Sequence, residues 1–249
     1  MNPILNISAY LFTPLQDLPS WREACLGQAR ARDLKGTILL SHEGINLFVA
    51  GLADQVEGFM HWLRSQDGMA ELGAKKSWSQ KQPFGKLLVK IKAEIIRMNH
   101  PAIVPAQGRA PAVKPVDLRR WLDQGHDDQG QALVMLDTRN AFEVAHGKFT
   151  QALDWGLHKF SEFPQAAHKH LADMQGKTVV SYCTGGIRCE KAAIFLRELG
   201  LTQVYQLDGG ILQYFEDTGG AHFEGDCFVF DERVALAPDL SAKPSAPAA

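Results

Sequence analysis

TVVSYCTGGIRCEKA, residues 178–192, decides how the second half of this chain is read. An apolar, β-branched run leads straight into Cys183, two glycines follow, and a helix is expected to start about Arg188. Gly185 and Gly186 let the backbone curl so that successive N–H groups point inward as an anion nest. The helix N-terminus adds its partial positive charge to the same place. A thiol held there ionises below its free value of about 8.5, and the thiolate is the nucleophile. Cys183 is therefore the candidate catalytic residue. Thr184, Gly185, Gly186, Ile187 and Arg188 form the candidate anion- and substrate-binding loop, with Arg188 either holding an oxyanion or packing the loop. A merely buried cysteine at a strand end would leave the glycine pair without purpose.

Outward from this loop, Leu133–Leu136, Lys177–Tyr182 and Gln203–Leu207 read as short buried strands. Helical patterns lie between and around them, at Val116–Leu122 and Glu190–Leu199. Alternating β and α elements predict an α/β domain, residues 116–222, with a parallel sheet covered on both faces. Asp137 and Arg139 are expected to form a buried pair at the sheet end. Upstream, strands are predicted at Ile4–Phe12, Thr37–Ser41, Ile45–Ala50 and Leu87–Ile96, and helices at Trp21–Asp33, capped by Ser20, and Asp54–Ser65. The order β-α-β-β-α-β is the ferredoxin-like split βαβ pattern of an α+β domain, residues 1–98, with a four-stranded antiparallel sheet and both helices on one face. His42 and Glu43 lie in its hairpin turn and are expected to stabilise that turn. Pro101, Pro105, Pro111 and Pro115 mark residues 99–115 as an extended linker. Residues 223–249 form a C-terminal extension whose low-complexity tail, from Pro238, is expected to be disordered.

The chain has 249 residues, 45% hydrophobic and 22% charged, which excludes a disordered, collagen-like or coiled-coil protein. Its net charge of −2 gives no global sign of a polyanion partner. The sequence shows no basic residue before Arg22 and no apolar run of membrane-spanning length, so a cytoplasmic protein without membrane association is expected. Four scattered cysteines fit a reducing compartment. None forms a CxxC pair and no histidine cluster completes a metal site, so no metal is expected. Cys25 is read as core. Cys189 is expected to pack, although it stands close enough in sequence to resolve a disulfide with Cys183.

Between Ala74 and Arg97 lie seven basic residues against one acid, Glu94, with Trp78 and Phe84 interleaved. Lysine for phosphate and an aromatic for a splayed base is the composition that single-stranded RNA loops require. Lys75, Lys76, Trp78 and Lys81 are the candidate RNA-binding residues. Residues 224–239 carry five acids and one base and are not expected to face RNA.

The second half resembles a rhodanese domain. Leu136-Asp137-Thr138-Arg139, then Glu143 and Gly147, is similar to that family's opening pattern, although His146-Gly147-Lys148 departs from its usual order. Leu207-Asp208-Gly209-Gly210-Ile211 is similar to its closing pattern. The resemblance implies that the six residues Cys183–Arg188 form a sulfur-sized loop. Related phosphatases need one residue more before their arginine, and here that position is Cys189.

With the Ser41-His42-Glu43-Gly44-Ile45-Asn46 turn and Gly225-Asp226-Cys227-Phe228-Val229-Phe230-Asp231 added, the chain up to about Arg233 resembles the bacterial oxygen-dependent tRNA uridine hydroxylases. That family's Cys-bearing tail is replaced here by Pro, Ala and Ser. The resemblance implies an acylphosphatase-like first domain, tRNA as partner, dioxygen as co-substrate and 5-hydroxyuridine at the wobble position, through a reactive Cys183. No other cofactor is identifiable, the electron donor is not readable, and no obligate protein partner is evident. The rival readings are a rhodanese-type sulfurtransferase working through a Cys183 persulfide and a non-catalytic tRNA-binding adaptor. The intact Cys183 loop speaks against the adaptor.

Overall fold

Leu5, Ile7 and Ala9 alternate with polar and aromatic residues along Ile4–Phe12, and this period of two makes a strand with one buried face, β1. In the computed structural model, which describes residues 3–242, β1 is followed by α1 (Leu18–Ala31), β2 (Lys35–Ser41), β3 (Gly44–Leu52), α2 (Ala53–Arg64), β4 (Lys75–Ser79) and β5 (Leu87–Ile91). Asp17, not Ser20, caps α1, accepting the Ser20 N–H at 3.3 Å. Leu5, Ile7, Leu47, Val49 and Ile38 pack against Cys25, Ala29, Val56, Phe59 and Leu63, so both helices lie on one face of the sheet.

The sheet has five strands rather than four, in the order β4-β1-β3-β2-β5. The fourth strand of the split βαβ pattern is β4, antiparallel to β1, whereas the segment expected in that role, β5, pairs parallel with β2 on the opposite edge. KKSWS in β4 is polar because an edge strand buries little, and Lys76 and Trp78 are exposed. Phe230–Val234 belongs to this first unit: Phe230 meets Phe48 at 6.0 Å between ring centroids, and Arg233 donates to Ser77 Oγ at 2.8 Å.

The second unit comprises, of the described residues, Met98–Val229 and 235–242. Its helices are α3 (Pro115–Gln124), α4 (Ala141–Val144), α5 (Phe163–His170), α6 (Ile187–Glu198) and α7 (Gly210–Thr218). Strands β6 (Ala112–Val113), β7 (Leu133–Asp137), β9 (Leu153–Asp154), β10 (Thr178–Tyr182) and β11 (Val204–Leu207) form a wholly parallel sheet in the order β6-β11-β10-β7-β9. Every residue of β10 is buried, the mark of a parallel strand covered on both faces. Outside that sheet lie β8 (Gly147–Phe149), β12 (Phe223–Gly225), β13 (Cys227–Phe228) and β14 (Ala235–Leu236).

Two expectations are corrected here. Residues 99–115 are not an extended linker throughout: Ile103, Ala110 and Val113 are buried, and β6 takes a place at the sheet edge. Apolar side chains between the prolines gain more from burial than an extended, solvated segment would. The tail expected to be disordered from Pro238 is ordered as far as Ala242, where Ala237 N–H donates to the Ser241 carbonyl at 3.0 Å and Ala242 bridges to Leu236. The remainder of the tail lies outside the described residues. Among the described residues no helix is long and apolar enough to cross a membrane.

Candidate active site

Strand β10 delivers Cys183 to the C-terminal edge of the parallel sheet, where the crevice of open α/β folds lies. Gly186, at φ 100°, turns the chain into α6 in a conformation that favours glycine. Its N–H donates to Cys183 Sγ at 3.1 Å. The loop carbonyls are held from behind: Ile211 N–H donates to the Cys183 carbonyl at 2.9 Å and Leu212 N–H to that of Thr184 at 3.1 Å. With those oxygens bound to the start of α7, the loop N–H groups are left to face the sulfur. Gly210 permits this approach, since a Cβ there would stand 2.5 Å from the Cys183 oxygen and 2.7 Å from that of Thr184.

Cys183 is fully buried, and burial by itself would raise its pKa. A hydrogen bond from the Cys189 thiol, the Arg188 charge and the N–H groups of Arg188 and Gly186 together outweigh burial and hold it well below the ordinary thiol value. Cys189 is the reverse case. Burial first, then its contact with the Cys183 sulfur, push it well above that value, so Cys183 is the thiolate of the two.

Arg188 packs the loop. Its guanidinium donates to Glu143 Oε1 at 2.5 Å and Oε2 at 2.7 Å, and Glu143 also accepts the Asn140 N–H at the start of α4. What Arg188 offers the sulfur is its backbone N–H and its charge. The expected Asp137–Arg139 pair is present and buried: Arg139 Nε donates to Oδ1 at 2.9 Å, and Nη2 to Oδ2 at 2.6 Å. Arg139 also donates to the Gly147 carbonyl, tying β7 to β8. Thr138, whose role the sequence did not signal, donates to the Tyr182 carbonyl at 2.9 Å and lies 3.8 Å from Cys189 Sγ. Cys227 is buried behind the loop near Thr184 and Arg139, and burial raises it to about 12, so it stays protonated.

The candidate RNA residues do not form one patch. Register places Lys76 opposite Ile7 and Trp78 opposite Leu5, on the helix-bearing face, where Lys76 pairs with Glu57 of α2. Lys75 lies opposite Ser8 on the other face, the one that receives Phe230–Val234. Lys81 is exposed beyond β4, whereas Lys90 sits on the far edge strand, β5. His42 and Glu43 lie in the β2–β3 turn, but their side chains bond outside it: His42 Nδ1 meets the Leu15 carbonyl at 2.9 Å, and Glu43 accepts the Ile95 N–H at 2.7 Å. Cys25 is in the first core, as expected.

Residues 4–95 match the family described as UPF0176 acylphosphatase like domain, and residues 117–217 match the Rhodanese-like domain. A tRNA uridine(34) hydroxylase of Variovorax paradoxus (strain S110) is 60% identical over 98% of this chain and 92% of its own length. One of Bordetella pertussis (strain Tohama I) is 60% identical over 99% of this chain and all of its own length (100%). A solution structure of the rhodanese-like domain of an Anabaena protein is 20% identical, covers 47% of this chain and 80% of that one, and has a TM-score of 0.38. Identity of this degree across both domains places the chain in the family of the tRNA uridine(34) hydroxylases.

Proposed function

We propose that this protein hydroxylates carbon 5 of uridine 34 in tRNA, with Cys183 as nucleophile and dioxygen as co-substrate. The observation that carries the chemistry is the Cys183 sulfur held by the Gly186 N–H at 3.1 Å inside a six-residue loop. Relatives 60% identical over nearly the whole chain, each named tRNA uridine(34) hydroxylase, support the substrate.

Carbon 5 of uracil is unreactive toward oxygen while the ring stays conjugated. Addition of the Cys183 sulfur at carbon 6 forms an S–C bond, breaks the C5–C6 double bond and moves its electron pair into an enolate with a nucleophilic carbon 5. Loop N–H groups stabilise the developing charge. After oxygen enters at carbon 5, loss of the carbon 5 proton and departure of the thiolate restore the ring. One atom of dioxygen enters the base; the other leaves as water with two electrons and two protons from a thiol reductant. The base must leave the anticodon stack to meet the sulfur. On the first unit the RNA contact is the exposed Trp78 ring, a stacking surface, with the exposed Lys81 beyond the same strand for phosphate; Lys76 on that face is held by Glu57. A tRNA substrate makes the cytoplasm the expected compartment.

The deciding experiment is nucleoside mass spectrometry on tRNA from a deletion strain. Wild type restores 5-hydroxyuridine and Cys183→Ser does not, because a serine hydroxyl stays protonated at neutral pH. Modification by the Ser variant overturns the thiol mechanism. The second reading rests on the size of the loop, which suits a Cys183 persulfide. Appearance of a sulfur-bearing rather than an oxygen-bearing nucleoside would select it.

A further inference from the structure

Two of the four cysteines share one buried site. Cys183 Sγ accepts the Gly186 N–H at the loop centre, while Cys189 follows in the first turn of α6, against the same glycine. Both are fully buried and neither is bonded to a third cysteine. Cys189 is fixed by its own N–H to the Gly186 carbonyl at 3.0 Å, and Thr138 Oγ1 lies 3.8 Å from its sulfur. Thr138 Oγ1 also donates to the carbonyl of Tyr182, the residue before Cys183, so Thr138 and Gly186 tie both cysteines to one stretch of the loop.

We infer that Cys189 is a resolving cysteine, which converts an oxidised Cys183 into a reversible Cys183–Cys189 disulfide before the oxidation becomes irreversible. The Cys183 thiolate attacks a hydroperoxide: an S–O bond forms, the O–O bond breaks, and the expelled alkoxide or hydroxide takes a proton from solvent and leaves as alcohol or water. Sulfur is oxidised by two electrons and the peroxide reduced by two, leaving a sulfenic acid. The Cys189 sulfur then attacks Cys183. An S–S bond forms, the S–O bond breaks, and hydroxide leaves as water with the Cys189 proton. Without this step the sulfenic acid proceeds to sulfinic acid, from which thiols do not recover it. The difference in ionisation between the two sulfurs orders the sequence, because the thiolate is oxidised first and the protonated thiol waits beside it. The step requires a peroxide and two thiols only, so it goes beyond the tRNA reaction and stands or falls independently of it.

Trypsin cuts after Lys177, Arg188 and Lys191, which separates the cysteines into residues 178–188 and 189–191. The full-length wild-type protein is treated with hydrogen peroxide, digested without reductant and mapped by mass spectrometry. The expected product is residues 178–188 joined to residues 189–191, lighter by two hydrogens than the separate peptides, at the intact mass of a single chain. Dithiothreitol returns both peptides. Sulfinic acid on Cys183 with Cys189 still reduced, a bridge to Cys25, Cys227 or a second chain, or no oxidation of either sulfur each overturns the proposal. In Cys189→Ser the same treatment is expected to drive Cys183 to sulfinic acid; an unchanged, thiol-recoverable Cys183 in that variant likewise overturns it.

Discussion

Arg188 and Glu143 face each other as a two-point pair, 2.5 and 2.7 Å apart, with both side chains buried. Burial works against the Arg188 charge, and the Glu143 carboxylate more than offsets it. The guanidinium that ends the loop is thus bound to α4 and holds the loop from outside, while backbone N–H groups hold the sulfur from within.

Removing the carboxylate leaves an uncompensated buried cation. Glu143→Ala is expected to cost about 3–5 kcal/mol of stability, with Glu143→Gln less damaging because its amide still accepts one hydrogen bond. Urea denaturation measures both. A midpoint for Glu143→Ala equal to wild type means that Arg188 has found another partner and that this pair does not hold the loop.

The ionisation of Cys183 sets a pH dependence. Its pKa is depressed, so the thiolate is present above the lowered value and is lost as pH falls through it. The acid limb of kcat/KM is therefore expected below the free-cysteine value of about 8.5. Cys189→Ala removes one donor, raises the Cys183 pKa and moves that limb to higher pH. Cys189→Ser restores a hydroxyl donor and returns the limb toward wild type. If alkylation rates of Cys183 against pH coincide for wild type and Cys189→Ala, the Cys189 hydrogen bond contributes nothing to ionisation.

Residues 178–188 were legible as chemistry because everything that marks them is local: an apolar strand, a cysteine, a glycine that must take positive φ, and a helix start. What stayed hidden depends on distant chain. β4 drew no strand assignment because an edge strand needs few apolar residues, and the more apolar Leu87–Ile96, of which only Leu87–Ile91 is strand, was given its place. The basic run then looked continuous, although β4 and β5 lie on opposite edges of the sheet. Arg188 was read correctly only as one of two options, since its choice rests on Glu143, 45 positions upstream. Gly210 belonged to a recognisable closing pattern, but its role needs the Cys183 carbonyl beside it.

That role is separable from simple backbone strain. Gly210 has φ +67°, and a Cβ would meet the backbone oxygens of Cys183 and Thr184 at 2.5 and 2.7 Å. Gly219, at φ +68°, has open space around the same position. Gly210→Ala and Gly219→Ala therefore share the strain of a left-handed alanine, of order 1–2 kcal/mol, but only the first displaces the start of α7 from the loop. Gly210→Ala is expected to lower kcat at least tenfold, the effect of about 1.4 kcal/mol in the barrier, with tRNA affinity unchanged. Equal turnover in the two variants would show that contact between Gly210 and the loop is catalytically irrelevant.

The two sheet edges give a test of where RNA binds. Trp78 is 51% exposed on β4, and Lys81 is exposed just beyond it. Lys90 on β5 is about 19 Å away across four strand spacings. Loss of a stacking ring costs about 1–3 kcal/mol per base, so Trp78→Ala is expected to weaken binding of an anticodon stem-loop by that amount and to leave its salt dependence intact. Lys81→Ala removes a phosphate contact and is expected to reduce the salt slope by about one. Lys90→Ala changes neither quantity. Lys76 is already paired with Glu57, so Glu57→Gln frees a cation beside Trp78 and tightens binding at low salt. Fluorescence anisotropy at several salt concentrations reads all four variants. If Lys90→Ala flattens the slope while Trp78→Ala is silent, the RNA contact lies on the β5 edge and the Trp78 surface is not part of it.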